Sequence, residues 1–366
     1  MADESPKEYW KDGSLNLYFK DVKDCSLDDQ GAKKYKKKAT VPGTPVKDLQ
    51  KDLIALGYLE AVSDDGYYGR GCARAVTRFQ RHAGRVYRIG QDKKPCDVSA
   101  TETFSGKADG VCNQATATEV RKWIDKKWIL PCGRFQIKEK VWGTRYDEGG
   151  KVITGKIKLR EDIFDAWDKV ITHVHSLGGT LDGPYGDCLR VLQKMKKGGT
   201  SGYSFHYSGR AVDIYQDFTK TSWYGPKGKD DKIKVQRRYF VQKEDVGEKV
   251  FWRILCWTEK QDGTQGFLVE AKTKSHWGFM EGKDSYVPKG YYIDLTAEIE
   301  STGDFERIKA ITGWEDNSNK AEWWHFQYAK DKQATFEDEL ELIGFTEKKI
   351  RDSGWNTDAA LDHTPG

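Results

Sequence analysis

The stretch SGYSFHYSGRAVDIY, residues 201–215, sets the hardest condition on the fold, because it places an aspartate inside a strand-like apolar run. Side chains alternate along a strand, so Val212 and Ile214 face one way while Ala211, Asp213 and Tyr215 face the other. A carboxylate on an inner face costs several kcal/mol unless a positive group meets it. His206 stands seven residues upstream, with Gly209 between to turn the chain, in the pattern Ser204-x-His206-x-x-Gly209-x-Ala211-x-Asp213. Imidazole nitrogen and carboxylate oxygen are both zinc ligands. The pair alone fits an ordinary hydrogen bond equally well.

A third ligand decides between the two. Downstream, Glu322-Trp323-Trp324-His325-Phe326 offers a histidine and, three residues before it, a glutamate. A catalytic zinc has three protein ligands, an open position for water and an unligated carboxylate to take the proton. His206, Asp213 and His325 supply the ligands for one Zn2+ per chain, and Glu322 supplies the base. Over roughly residues 156–330 the text SxHxxGxAxD followed by ExxH resembles one zinc peptidase family. That family groups D-Ala-D-Ala carboxypeptidases, D-Ala-D-Ala dipeptidases and L-alanyl-D-glutamate endopeptidases with the Hedgehog signalling domain, and EWWHF is especially similar to the dipeptidase branch. The resemblance implies an α+β domain with a small antiparallel sheet carrying zinc and helices packed on one side. It implies hydrolysis of a peptide bond in the peptidoglycan stem. It also implies an arginine upstream of the first histidine, commonly in a Ser-Gly-Tyr-Arg turn that this chain lacks. Arg190, in GDCLRVLQ, is the favoured candidate for that residue; Arg210, between Gly209 and Ala211, reads as facing solvent. Ser204 is expected to hydrogen-bond the site and not to act as a nucleophile.

A different pattern fills the N-terminal third. Val46, Leu49, Leu53 and Leu56 fall at helical spacing and Gly57 stops the run. The turn DDGYYGRG leads to the helix CARAVTRFQRHA; after a polar insert at 83–107, KADGVCNQ leads to the helix ATATEVRKWI. The half-repeat, an Asp-Gly turn before each of two helices, resembles the peptidoglycan-binding domain found beside wall hydrolases. VKDLQKDLIALGYL, DGYYG, AVTRFQ and DGVCNQAT carry the likeness over residues 46–124, and the insert departs from it. The resemblance implies a three-helix module that holds an enzyme against the polymer. The expected organisation is an extension at 1–43, the peptidoglycan-binding domain at 44–128, a connection at 129–155 with a possible strand in GRFQIKEKVWG, and the peptidase domain at 156–366. Within the last, a helix is expected over 159–177, a short strand in GGTLDG, strands in KVFWRILCW and GFLVEA, and two short helices in the tail.

Composition closes off other classes. Charged residues make up 32% and mean hydropathy is −0.78, with no apolar run near the ~18 residues of a membrane span. The net charge of +4 carries no clustered footprint for nucleic acid, and KKYKKK at 33–38 reads as a solvated arm. Seven cysteines without a CxxC pair argue against a disulfide framework and a cysteine zinc knuckle. His173 and His175 lie two apart on a helix and cannot share an ion, and His276 reads as loop packing. The first twenty residues lack a secretory pattern, so the expectation is synthesis in the cytoplasm and delivery to the wall, as by a phage endolysin or an injected effector. A monomer is expected. Two rival readings are a Hedgehog-like zinc domain without catalysis that binds the wall, and a dipeptidase acting on free dipeptide. An unligated Glu322 argues against the first; a polymer-binding module argues against the second.

Overall fold

Two glutamines give the N-terminal half-repeat its physical form. The computed structural model describes residues 45–66, 68–146, 152–181, 185–192, 203–214, 222–224, 233–235, 239–246, 249–270, 273–275, 285–314, 320–355 and 357–364. It divides into one unit of Met1–Arg134 with Gly344–Glu347, and a second of Phe135–Ile343 with Lys348–Gly366. In the first, helices α1 (Pro45–Ala55), α2 (Arg70–Ala83) and α3 (Gln114–Asp125) pack with a two-stranded ribbon, β1 (Ile89–Gly90) and β2 (Trp128–Ile129). Val46, Leu49, Leu53 and Leu56 are buried against Ala75, Val76, Phe79, Val120 and Trp123, as the helical spacing demands. Gln50 of α1 reaches the first Asp-Gly turn, donating to Asp65 Oδ1 and accepting from Gly66 N, both at 2.8 Å. Gln80 of α2 does the same at the second turn, accepting from Asp109 N (3.1 Å) and Gly110 N (3.0 Å) and donating to Val111 O (2.9 Å). Each amide thus satisfies buried backbone groups of a turn that has no ladder to join.

The insert after α2 is anchored by Arg88, which is fully buried. Its guanidinium donates to the carbonyls of Ala83 and Tyr87 (2.9 Å each) and His82 (3.2 Å), at the C-terminal end of α2 where a cation is favoured. Its face lies over Trp123 (4.6 Å) and Trp128 (5.3 Å). The insert is therefore part of the module's core.

The second unit is α+β with antiparallel pairing throughout its described strands. In chain order it contains β3 (Ile137–Tyr146), β4 (Val152–Arg160), α4 (Glu161–Ser176), β5 (Ala211–Asp213), β6 (Ser222–Tyr224), β7 (Ile233–Val235), β8 (Tyr239–Val246) and β9 (Lys249–Trp257). Next come β10 (Phe267–Val269), β11 (Thr273–Ser275), β12 (Ser285–Val287), β13 (Gly290–Asp294), α5 (Leu295–Ser301), β14 (Phe305–Arg307) and β15 (His325–Tyr328). The tail holds α6 (Phe336–Glu341), α7 (Glu347–Asp352) and α8 (Asp358–Leu361). One sheet runs β10-β13-β9-β8 and a smaller one β14-β15-β5. Ile163, Trp167, Val170 and Val174 of α4 join Trp252 and Ile254 of β9, Ile293 of β13, Val212 of β5 and Phe326 of β15 in one core.

Several expectations change. The helix expected from 159 begins at Glu161, because Ile157 and Leu159 are buried between exposed Lys156 and Lys158 in the two-residue rhythm of β4. The strand expected in GRFQIKEKVWG is β3, but 129–155 is no separate connection: β3 pairs with β4 from Ile137↔Arg160 onward in the second unit. Residues 178–181 form no strand; the Thr180 carbonyl is taken by the Tyr239 hydroxyl at 2.6 Å. The two short helices expected in ATFEDELELIGFTEKKIRD are α6 and α7, with α8 following them, and residues Gly344–Glu347 belong to the first unit, where Glu347 pairs with Arg78 at 2.6 Å. The extension at 1–43 with its lysine run at 33–38, and His276, lie outside the described residues.

Arg88→Met should destabilise the N-terminal unit by on the order of 3 kcal/mol, because several buried carbonyls lose a charged donor. Urea denaturation of the full chain followed by tryptophan fluorescence measures this. Arg88→Lys should recover little, since one ammonium cannot span the carbonyls and stack on both rings.

Candidate metal centre

Asp213 closes β5, and β15 runs antiparallel beside it with His325 directly opposite. Directly opposed residues project from the same face, with Cβ atoms about 4.5–5.5 Å apart. His325 Nδ1 accordingly lies 3.1 Å from Asp213 Oδ1. His206 arrives from a 3-10 turn, Phe205–Ser208, whose cap is Ser204; the Ser204 hydroxyl accepts from His206 N at 3.3 Å. Gly209 ends the turn at φ +68°, and a Cβ there would stand 2.9 Å from Arg160 N. Only glycine fits both conditions without strain. The result carries His206 Nε2 to 3.0 Å from His325 Nδ1 and 3.2 Å from Asp213 Oδ1.

Three donor atoms therefore form a nearly equilateral triangle, and all three residues are buried. Hydrogen bonds alone serve this shape poorly. If both facing nitrogens carry protons, each donates to the carboxylate and the two N–H groups oppose one another; if only one does, its proton reaches one neighbour. A cation uses all three lone pairs at once. Tetrahedral coordination at about 2.1 Å separates ligand atoms by about 3.4 Å, a few tenths more than the observed edges. The donor set of two imidazoles and a carboxylate suits zinc. Burial pushes the Asp213 carboxyl up, but the hydrogen bonds and charge of His206 and His325 outweigh it and hold the pKa below the ordinary value.

Glu322 sits at the start of the turn into β15, and its carbonyl accepts from His325 N at 3.0 Å. Its φ is +46°, a left-handed conformation that costs a non-glycine residue about 1–2 kcal/mol. Its side chain is partly buried, and burial raises the carboxyl pKa; His325 pulls against that rise and Asp213 adds to it. His206 and Arg190 also act on it. The five residues singled out from the sequence thus share one electrostatic neighbourhood.

The segment that carries Arg190 is tied to Asp213 and His206 through the main chain. Gly186 N donates to Asp213 O (2.8 Å), Asp213 N to Asp187 O (3.1 Å), and Arg190 N to His206 O (3.0 Å). The guanidinium lies against Asp187, with Nε and Nη2 at 2.8 and 2.7 Å from one carboxylate oxygen. Burial works against its charge, but Asp187 more than offsets this and raises the pKa. Asp187 has no part in the sequence pattern; its position three residues before Arg190 is the only trace of the pairing.

Residues 42–86 match the family described as "Putative peptidoglycan binding domain". No curated protein and no solved structure matches the chain. The matched segment covers α1, the first Asp-Gly turn and α2, while the second turn held by Gln80 and helix α3 continue the same core beyond it.

Arg210, expected to face solvent, is fully buried. It donates to the carbonyls of Asp331 (3.0 Å), Tyr328 (3.2 Å) and Lys330, and pairs with Glu339 at 3.3 Å. Glu339 also takes Arg160 at 3.0 Å. Of the other histidines, His173 pairs with Glu298 (2.7 Å) and His82 faces the Tyr58 hydroxyl (3.1 Å). Arg210→Met should cost about 3–5 kcal/mol, the usual loss when one member of a buried ion pair is removed; thermal unfolding by circular dichroism gives the value.

Proposed function

We propose that this chain is a zinc-dependent peptidase that hydrolyses a peptide bond in the stem peptide of peptidoglycan, with its N-terminal unit holding it to the wall polymer. The observation that carries the proposal is the buried triangle of His206 Nε2, Asp213 Oδ1 and His325 Nδ1, with the partly buried carboxylate of Glu322 in its electrostatic reach. The match at residues 42–86 supports the polymer, and the resemblance of the SxHxxGxAxD and ExxH texts to peptidoglycan peptidases supports the bond. Among the described residues no helix is long and apolar enough to cross a membrane.

When bound by His206, Asp213 and His325, zinc supplies a Lewis acid for the scissile carbonyl and acidifies a water molecule. Glu322 is the general base: its desolvated carboxylate accepts the proton of the attacking water and returns it to the departing amine. Arg190 contributes a fixed positive charge that favours the oxyanion of the tetrahedral stage.

The protein should bind one zinc per chain by elemental analysis. Affinity should fall on acidification, because protonated imidazoles cannot ligate. His325→Ala should lose most of that affinity.

Glu322→Gln preserves shape but cannot take a proton. It should keep zinc content while hydrolysis falls roughly 10²-fold or more, and the full-length variant should still sediment with purified sacculi. Mass spectrometry of released muropeptides reads both the rate and the bond cut. Hydrolysis at the parent rate would rule out the proposed base; a metal-bearing chain that sediments with sacculi and never cleaves them would instead be a binding protein.

A further inference from the structure

The tail of the second unit reaches the site through aromatic rings. Tyr203 and Tyr207 bracket His206 in sequence, and both pack on the same two rings from the tail. Tyr207 meets Phe336 (5.9 Å, 83°) and Trp355 (5.8 Å, 75°) edge to face, and Tyr203 meets them at 5.5 and 5.3 Å. Phe336 and Trp355 pack on each other at 4.6 Å, and both are buried to within 1%. Phe336 N donates to His363 O at 2.8 Å, which ties the two ends of the tail together. Such ring pairs contribute about 0.5–1.5 kcal/mol each beyond area burial and fix ring orientation.

The Tyr207 ring has a further neighbour. The Arg190 guanidinium carbon lies 5.6 Å from its centroid, within cation–π range. One edge of that guanidinium is occupied by Asp187. Arg190 is thus held on an edge by a carboxylate and near a ring that the tail immobilises, while its backbone is bonded to His206.

We infer that Asp187 and Tyr207 are positioning residues for Arg190, and that Phe336 and Trp355 of the C-terminal tail belong to the same device because they fix the Tyr207 ring. The inference rests on the hydrolase reading for its catalytic consequence, but the positioning itself is a property of the folded chain. An arginine left free to sample rotamers spreads its charge over solvent-facing positions and stabilises a developing oxyanion less. Removing the support should therefore lower kcat more than it raises KM, without removing metal.

Two measurements test this. In the NMR spectrum of the full chain, the Arg190 Nε–H resonance, assigned by its loss in Arg190→Ala, should be slow to exchange with water. It should exchange at least tenfold faster in Asp187→Asn and in Trp355→Leu, and Trp355→Phe should restore most of the protection. Equal protection in the parent and in Asp187→Asn, whose site is a third exposed and least disruptive to folding, overturns the inference whether or not the chain proves to be a hydrolase. The second measurement is a double-mutant cycle on stem-peptide hydrolysis. Asp187→Asn and Trp355→Leu should each lower kcat/KM about tenfold or more with zinc still at one per chain, and neither should lower it further in an Arg190→Ala background. Losses that multiply in the double variants also overturn it. An inactive parent with a protected Arg190 resonance would count against the peptidase reading alone.

Discussion

A carboxylate with almost no water around it faces two imidazoles, and the second unit is arranged to make that tolerable. Asp213 needs a positive or hydrogen-bonding partner on every side. His325 meets the carboxylate across the sheet and His206 meets it from the 3-10 turn, while the main chain of 186–187 satisfies the Asp213 backbone along the other edge of β5. Three short strands suffice because the opposed pair Asp213 and His325 fixes the register; a slip by one residue would send every side chain of β5 to the wrong face.

A second buried charge, Glu339, steadies the same turn. Glu339 receives Arg160 and Arg210, and these arginines flank the turn's exit at Gly209, whose carbonyl accepts from Arg160 N at 3.1 Å. Buried ion pairs of this kind add little net stability relative to apolar packing, but removing one partner is costly. The path of the chain out of the His206 turn is thus specified by charge as well as by glycine.

The meeting of His206, Asp213 and His325 is legible in the sequence because it depends on short spacings within single turns and strands. His206, Gly209 and Asp213 lie within one turn and strand, and Glu322 and His325 within another; the sheet then needs only to pair two strands. Arg210 was misread because nothing beside it in sequence announces Glu339, which reaches it only in the folded chain. Tyr207 likewise meets Arg190 only in the folded chain, whereas Asp187 leaves a trace in its place three residues before Arg190. The start of α4 was misplaced because Leu159 satisfies both the helical stripe and the two-residue alternation of β4, and only the pairing with β3 separates them. In the first unit the Asp-Gly repeat was plain in sequence, whereas the use of Arg88 to build the insert into the core depends on two tryptophans and a helix end meeting in space.

The backbone of Glu322 bears on how such a chain drifts over generations. A left-handed residue is adopted readily by glycine and more easily by asparagine than by glutamate. Selection for folding alone therefore favours glycine or asparagine at this position, by about 1–2 kcal/mol in the case of glycine. On the proposed hydrolase reading, a descendant released from proton transfer would be free to move that way while keeping His206, Asp213 and His325 together. On that reading the residue at position 322, more than His206, Asp213 and His325, is where a lineage would record whether it still performs chemistry.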